Sequence, residues 1–218
     1  MTPLETVRRE LAPAEGANRL VPLVAAGRLP LERLAALAGE EYRIIRSDRR
    51  SFLVLAARFP DPPAVDFFVG LAQGETLALG KLLDLAAALG MDEAALEDYE
   101  PLPGCQAYPA YVAWLALNGS EADVALALVA NFAAWGGYCG AVAEGLRRHD
   151  HLDDRAIGFF DFFATPVPEV EAQASAVAAA SLEDGEPPAS ARRHARLVQA
   201  YELLFWNTLA EGVESWRF

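Results

Sequence analysis

Near the C-terminus, the run Tyr201-Glu202-Leu203-Leu204-Phe205-Trp206 sets a carboxylate among apolar residues. In helical register Val198, Glu202, Phe205 and Leu209 share one side, so Glu202 faces inward with apolar neighbours a turn away in both directions. A buried carboxylate must be paired or stay protonated, because desolvating an isolated charge is costly. Two readings follow: a structural hydrogen bond to a buried Tyr or Trp, or an acid/base group with a shifted pKa. The same interruption recurs upstream, where Glu41 breaks the stripe Leu34, Leu37, Ile44, Ile45, Asp48, Phe52, and Glu75 breaks the stripe Phe68, Leu71, Leu79, Leu82. Inward carboxylates on separate helices are how a polar site is assembled inside a bundle. A di-iron centre does not follow from them, since none of these helices carries a Glu-x-x-His pair, and the sequence calls for no metal and no cofactor.

A second set of residues lies on the helix that begins at Ser120, where Leu128, Phe132, Trp135, Cys139, Val142 and Leu146 form one stripe. Cys139, one turn from Trp135, is either inert packing or a nucleophile that would need a nearby base to become a thiolate. Gly136, Gly137 and Gly140 interrupt the same helix. Each costs ~1 kcal/mol relative to Ala there, which implies room for a ligand or for another helix. Tyr108, Tyr138 and the run Phe159-Phe160-Asp161-Phe162-Phe163 add aromatic surface that can line a cavity as well as fill a core, Phe160 among it.

The elements that must position these groups read as helices almost throughout. Strand signals are nearly absent, and Ala and Leu recur at three-to-four spacing between Pro/Gly breaks. The pattern predicts an all-α bundle with helices over Leu4–Leu11, Arg19–Ala26, Pro30–Phe59, Pro63–Leu89, Glu93–Tyr99, Ala107–Leu117, Ser120–Arg148, Asp153–Phe163, Val167–Leu182 and Ser190–Trp216. Glu183 to Pro188 reads as an exposed connection. Long helices joined by short connections should pack side by side around a central core or cavity. At 218 residues and 53% hydrophobic composition, with no linker composition, the chain reads as a single domain spanning 1–218.

Charge and composition exclude several classes. A net charge of −13 without a large Lys/Arg cluster argues against direct nucleic-acid binding. No uninterrupted apolar run reaches the ~20 residues of a membrane span, and Met1-Thr2-Pro3-Leu4-Glu5 has neither the basic start nor the apolar segment of a signal peptide, so a cytoplasmic location is expected. Cys105 and Cys139 lack metal-site spacing, and His149 and His151 read as a polar helix end with its following loop. The first 148 residues contain no histidine, which argues against a haem or di-iron oxygenase.

These residues resemble the TenA family, the thiaminase II group of proteins with a heme oxygenase-like fold. Tyr201-Glu202-x-x-Phe205-Trp206 is similar to the family's C-terminal Tyr-Glu-x-x-Phe-Trp motif, and the resemblance implies an acid/base role for Glu202 and a pyrimidine-pocket role for Phe205. Ala107-Tyr108 through Asn118-Gly119 is similar to the helix that carries a pocket tyrosine, implying that role for Tyr108. Phe132 through Leu146 resembles the nucleophile helix, and Glu75 the start of a Glu-x-x-x-His element. The chain departs from the family at three points: Trp135 falls where the catalytic cysteine belongs, Cys139 where a tyrosine is usual, and Leu79 replaces the histidine. Glu40 or Glu41 stands nearest to the family's substrate-binding aspartate, with Glu41 the better placed by facing.

The resemblance implies a cofactor-free hydrolase for a thiamin-related or aminopyrimidine compound. Glu202 would be its acid/base group, with Cys139 one turn from the usual nucleophile position, and Glu41, Glu75, Tyr108, Trp135, Tyr138, Phe160 and Phe205 would line the pocket. The alternatives are a non-catalytic small-molecule-binding or regulatory homologue, or a specialised biosynthetic enzyme with a remodelled pocket. The expected partner is a small heterocyclic molecule, and the resemblance implies a homo-oligomer.

Overall fold

A computed structural model describes residues 2–11, 14, 16–149, 152–181 and 187–213. Among the described residues there are ten helices and no strand: α1 (Pro3–Glu10), α2 (Leu20–Ala25), α3 (Leu31–Arg58), α4 (Ala64–Ala88), α5 (Glu93–Asp98), α6 (Pro103–Asn118), α7 (Glu121–His149), α8 (Asp154–Ala164), α9 (Pro168–Ser181) and α10 (Ala189–Ala210). The caps explain several boundaries. Thr2 and Glu5 close a capping box on α1, Asp92 accepts from Ala95 N at 2.9 Å to start α5, and Asp153 accepts from Ala156 N at 2.8 Å to start α8.

Two boundaries differ from the sequence reading by more than one residue. α6 begins four residues before Ala107, because Pro103 takes the first helical position, where its missing N–H costs nothing. α10 ends at Ala210 rather than Trp216, because Gly212 enters the left-handed region at φ +80°. Residues 214–218, His151 and most of the Glu183–Pro188 connection lie outside the described residues.

Six helices pack in a closed ring: α3 on α4, α4 on α8, α8 on α7, α7 on α10, α10 on α6, and α6 back on α3. α9 covers α7 and α4, α1 and α2 lie against α7, and α5 against α3. α7 is long and apolar enough to cross a membrane, but half of its most apolar stretch is buried against the other helices. Its apolarity serves the centre of the bundle.

The core is divided. One apolar cluster holds Leu34 to Ile45 of α3, Ala78 to Ala86 of α4, Cys105 of α6, Cys139 to Leu146 of α7 and Phe205 to Ala210 of α10. The other holds Phe52 to Ala56, Ala64 to Ala72, Val112 to Ala116, Val124 to Ala130 and Ala191 to Val198 of the same five helices. Each helix crosses from one cluster to the other at a residue that belongs to neither buried set, Asp48, Glu75, Tyr108, Trp135 and Glu202, although Tyr108 packs against both clusters and Trp135 against the first. These residues form a waist across the bundle.

Candidate active site

A cavity of about 820 Å³ occupies the waist. α3 contributes Glu41 and Asp48 to its wall, α4 Glu75, α6 Tyr108, α7 Asn131 and Trp135, and α10 Glu202 and Phe205. The register explains the convergence. Glu41 and Asp48 are separated by two turns and point the same way from α3, while Glu202 and Phe205 are three residues apart on α10. Toward solvent the cavity runs between α4, the glycine-bearing stretch of α7 and the α8–α9 joint, ending at the exposed Leu77 and Val167.

The electrostatics of this cavity are one-sided. Glu41, Asp48, Glu75 and Glu202 line it, and no Lys, Arg or His does so among the described residues. None of the four makes an ion pair there. Burial pushes Glu202 up to about 8. Burial likewise pushes Asp48 up to about 8, against a hydrogen bond from the Tyr108 hydroxyl that favours its ionised form. Glu41 is raised well above the usual carboxylate range by burial, then by the charges of Asp48, Glu40 and Glu202. Glu75 is raised by burial and by Asp48 and Glu41. Burial and the same carboxylates hold the Tyr108 hydroxyl protonated. Desolvation acts on all four and mutual repulsion adds to it at Glu41 and Glu75, and both favour the neutral acid over the carboxylate.

Hydrogen bonding adds to the imbalance. Glu41 Oε1 and Asp48 Oδ1 are buried without a partner. Asn131 donates its Nδ2 to Ala127 O at 2.8 Å and Ala195 O at 3.2 Å, which fixes its other atom as the oxygen, and that Oδ1 is also unpartnered. Unpaired buried acceptors of this kind each carry a desolvation cost of about 1–3 kcal/mol until a donor arrives.

The structure brings six of the sequence-derived candidates to the cavity wall: Glu202, Glu41, Glu75, Tyr108, Trp135 and Phe205. It leaves three away from it. Cys139 is fully buried in the apolar cluster, and burial, followed by the charges of Glu41 and Glu202, pushes its thiol well up, so the thiolate needed for attack is disfavoured. Tyr138 lies one residue off the inward stripe, packs edge-on against Trp206 at 6.0 Å and lines a smaller neighbouring cleft with Arg8 and Gln199. Phe160 is turned into the core against Phe159, while Phe162 and Phe163 of the same run line the cavity.

Trp135 packs against Phe163, Phe205 and Trp206 with ring centroids 5.8, 5.9 and 4.9 Å apart. Glu41 rather than Glu40 faces the cavity. Glu40 instead accepts from Tyr99 Oη at 3.0 Å, Leu102 N at 2.6 Å and Gln106 Nε2.

Sequence reasoning did not nominate Asp48 or Asn131 as site residues. The signal for Asp48 was its position two turns from Glu41 on the same stripe, and for Asn131 its place one turn before Trp135. Among the described residues no three His, Cys, Asp or Glu side chains are disposed to hold one metal ion. His149 is engaged elsewhere, its Nε2 3.1 Å from Ala25 O.

A family model described as the TENA/THI-4/PQQC family matches residues 19–211. The chain belongs to this family. Among solved structures it is similar to a TenA homologue from P. horikoshii, with a TM-score of 0.77 and 17% identity over 97% of this chain and 100% of that one. It is also similar to a domain of unknown function with a heme oxygenase-like fold from Shewanella denitrificans, with a TM-score of 0.74 and 16% identity over 99% and 94% of the two chains. A putative TenA-like thiaminase from Sulfolobus solfataricus matches with a TM-score of 0.64 and 14% identity over 94% and 93%. At such identities the structures bear on the fold, which is the TenA-like, heme oxygenase-like all-α bundle. No match was found among curated proteins.

Proposed function

We propose that the protein hydrolyses a carbon–nitrogen bond in a thiamin-related or aminopyrimidine compound, with water as the nucleophile and Glu202 as the acid/base group. The observation that carries this reading is the placement of Glu202 in the wall of a water-sized-to-ligand-sized cavity beside Tyr108 and three further carboxylates, with no thiolate available. Glu202, protonated near neutral pH, gives its proton to the departing nitrogen as the C–N bond breaks. Glu41 or Glu75, once ionised, takes a proton from the attacking water as the C–O bond forms. The nitrogen leaves as an amine or as ammonia, and proton transfer between the carboxyl groups resets the pair. Tyr108 and Phe205 hold the ring, and Trp135 narrows the space over it.

The test is product release from thiamin and from aminopyrimidine amines. Glu202→Gln keeps the size and removes the proton shuttle, and should cost about 10²–10⁴ in turnover with binding retained. Turnover that survives this substitution would sink the reading.

A second reading, a binding protein that keeps the pocket without catalysis, is favoured by the burial of Cys139 and by the bulk of Trp135 where the family places its nucleophile. It requires a ligand that raises the melting temperature without yielding product.

A further inference from the structure

Resting on the reading of the waist cavity as the ligand site, we infer that its ligand is an amphipathic amine: a donor-rich cationic head at the carboxylate floor, joined to an elongated apolar body that runs out to the mouth. The head follows from the chemistry of the floor. Asn131 Oδ1 is an acceptor at any pH, Glu41 Oε1 and Asp48 Oδ1 become acceptors once a base stronger than these acids takes a carboxyl proton, and the ionisable side chains of the wall that carry charge are all acids. A group that brings several N–H donors and a positive charge answers both deficits, whereas an anion or a neutral ether answers neither.

The body follows from the walls. The cavity, at about 820 Å³, lies toward the upper end of the range for small-molecule sites, so a single heterocyclic ring at the floor leaves most of it unfilled. The unfilled part is bounded by Leu71, Phe132, Phe162, Phe163 and Val170.

One glycine points the same way. Gly74 on α4 is half-buried and lines the cavity, and a Cβ built on it meets nothing within 4 Å. No close neighbour requires its smallness, and the space beside it belongs to the channel through which an apolar chain would pass. Gly136 supplies the contrast, since its Cβ would lie 2.8 Å from Phe163 O and its smallness is required by the close approach of α8.

The experiment is calorimetric titration of the purified protein with n-butylamine, n-hexylamine and n-octylamine, and with n-hexanol and hexanoate as matched controls. Affinity should rise roughly threefold to fourfold per added methylene, and hexylamine should bind at least tenfold more tightly than hexanol or hexanoate. In Gly74→Leu, where the new side chain enters that open space, the gain from butyl to octyl should collapse. A flat chain-length series in the wild-type protein, or an alcohol that binds as well as its amine, would overturn the inference, and neither result depends on how a variant folds. The two proposals fail separately. Hydrolysis of an aminopyrimidine together with a flat amine series removes the apolar body and keeps the reaction, while a steep series with no product from any amine removes the reaction and keeps the ligand class.

Discussion

Glu40 and Glu41 are sequence neighbours on α3, both buried, and they serve opposite regions. Glu40 points to the α5–α6 joint, where three donors converge on it, and Tyr99 lies so close over Gly39 that a Cβ there would meet the ring at 2.5 Å. Glu41 points to the waist, where no donor meets its Oε1 and where the nearest charges repel it. The joint is a finished structure and the waist an unfinished one. The difference teaches that burial alone does not assign a carboxylate; what decides is whether its neighbours are donors or other acids.

The sharpest way to break this comparison is to remove each carboxyl in turn. Glu40→Ala leaves Tyr99, Leu102 N and Gln106 without their acceptor, and should destabilise by about 3 kcal/mol or more. For a chain of this size that is a melting temperature lower by ~10 °C. Glu41→Gln removes an unpaired buried acid and should leave the melting temperature unchanged or raise it, while abolishing ligand-dependent stabilisation. Equal losses from the two variants, read by thermal denaturation, would erase the distinction between the joint and the waist.

Titration gives the next largest effect. The groups facing the waist are Glu41 and Asp48 from α3, Glu75 from α4, Tyr108 from α6, Glu202 from α10 and, at the rim, Glu171 of α9 paired with Arg8 of α1 at 2.8 Å, with the buried thiol of Cys139 on α7 behind the wall. The four waist acids are raised above their unfolded values, so over the interval from the ordinary carboxylate range to about 8 the folded protein holds protons that the unfolded chain has released. Stability must then fall as pH rises through that interval, and it is fully present only below the unfolded pKa values. The unliganded protein should be less stable at pH 8.5 than at pH 6, by roughly 2–3 kcal/mol for each of the two groups held at about 8, the equivalent of about two pKa units each. The double variant Asp48→Asn, Glu202→Gln should flatten that slope. A slope that persists unchanged in the double variant would locate the titration outside the waist.

Much of this arrangement was legible in the sequence, because the helical period is set by local spacing and interrupted stripes mark the waist directly. Glu41, Glu75 and Glu202 each interrupted a mostly apolar stripe, and each lines the cavity. Tyr138 and Phe160 were harder, since helical spacing gives a facing to within about one residue position, and one position around a helix is a rotation of roughly 100°, enough to send a side chain into a different neighbour's core. The burial of Cys139 depends on which helices close over that face, which no local pattern records. The start of α6 turned on Pro103, which can begin a helix as readily as break one.

The smallest effect separates the glycines by the same criterion as the glutamates. Gly74→Ala adds a methyl to open space and removes the conformational cost of glycine in a helix, so it should stabilise by about 0.5–1 kcal/mol, or ~2–3 °C. Gly136→Ala forces a Cβ to 2.8 Å from a backbone oxygen of Phe163, which cannot give way without moving the C-terminal turn of α8, and it should destabilise despite the better helix propensity. The two substitutions are chemically identical and both lie in long helices. Melting temperatures that move in opposite directions would show that the space beside Gly74 is unused by the protein's own packing. Melting temperatures that both fall would mean that the walls of the waist close against one another in solution, and that the channel from the acidic floor to the mouth is not held open by the fold.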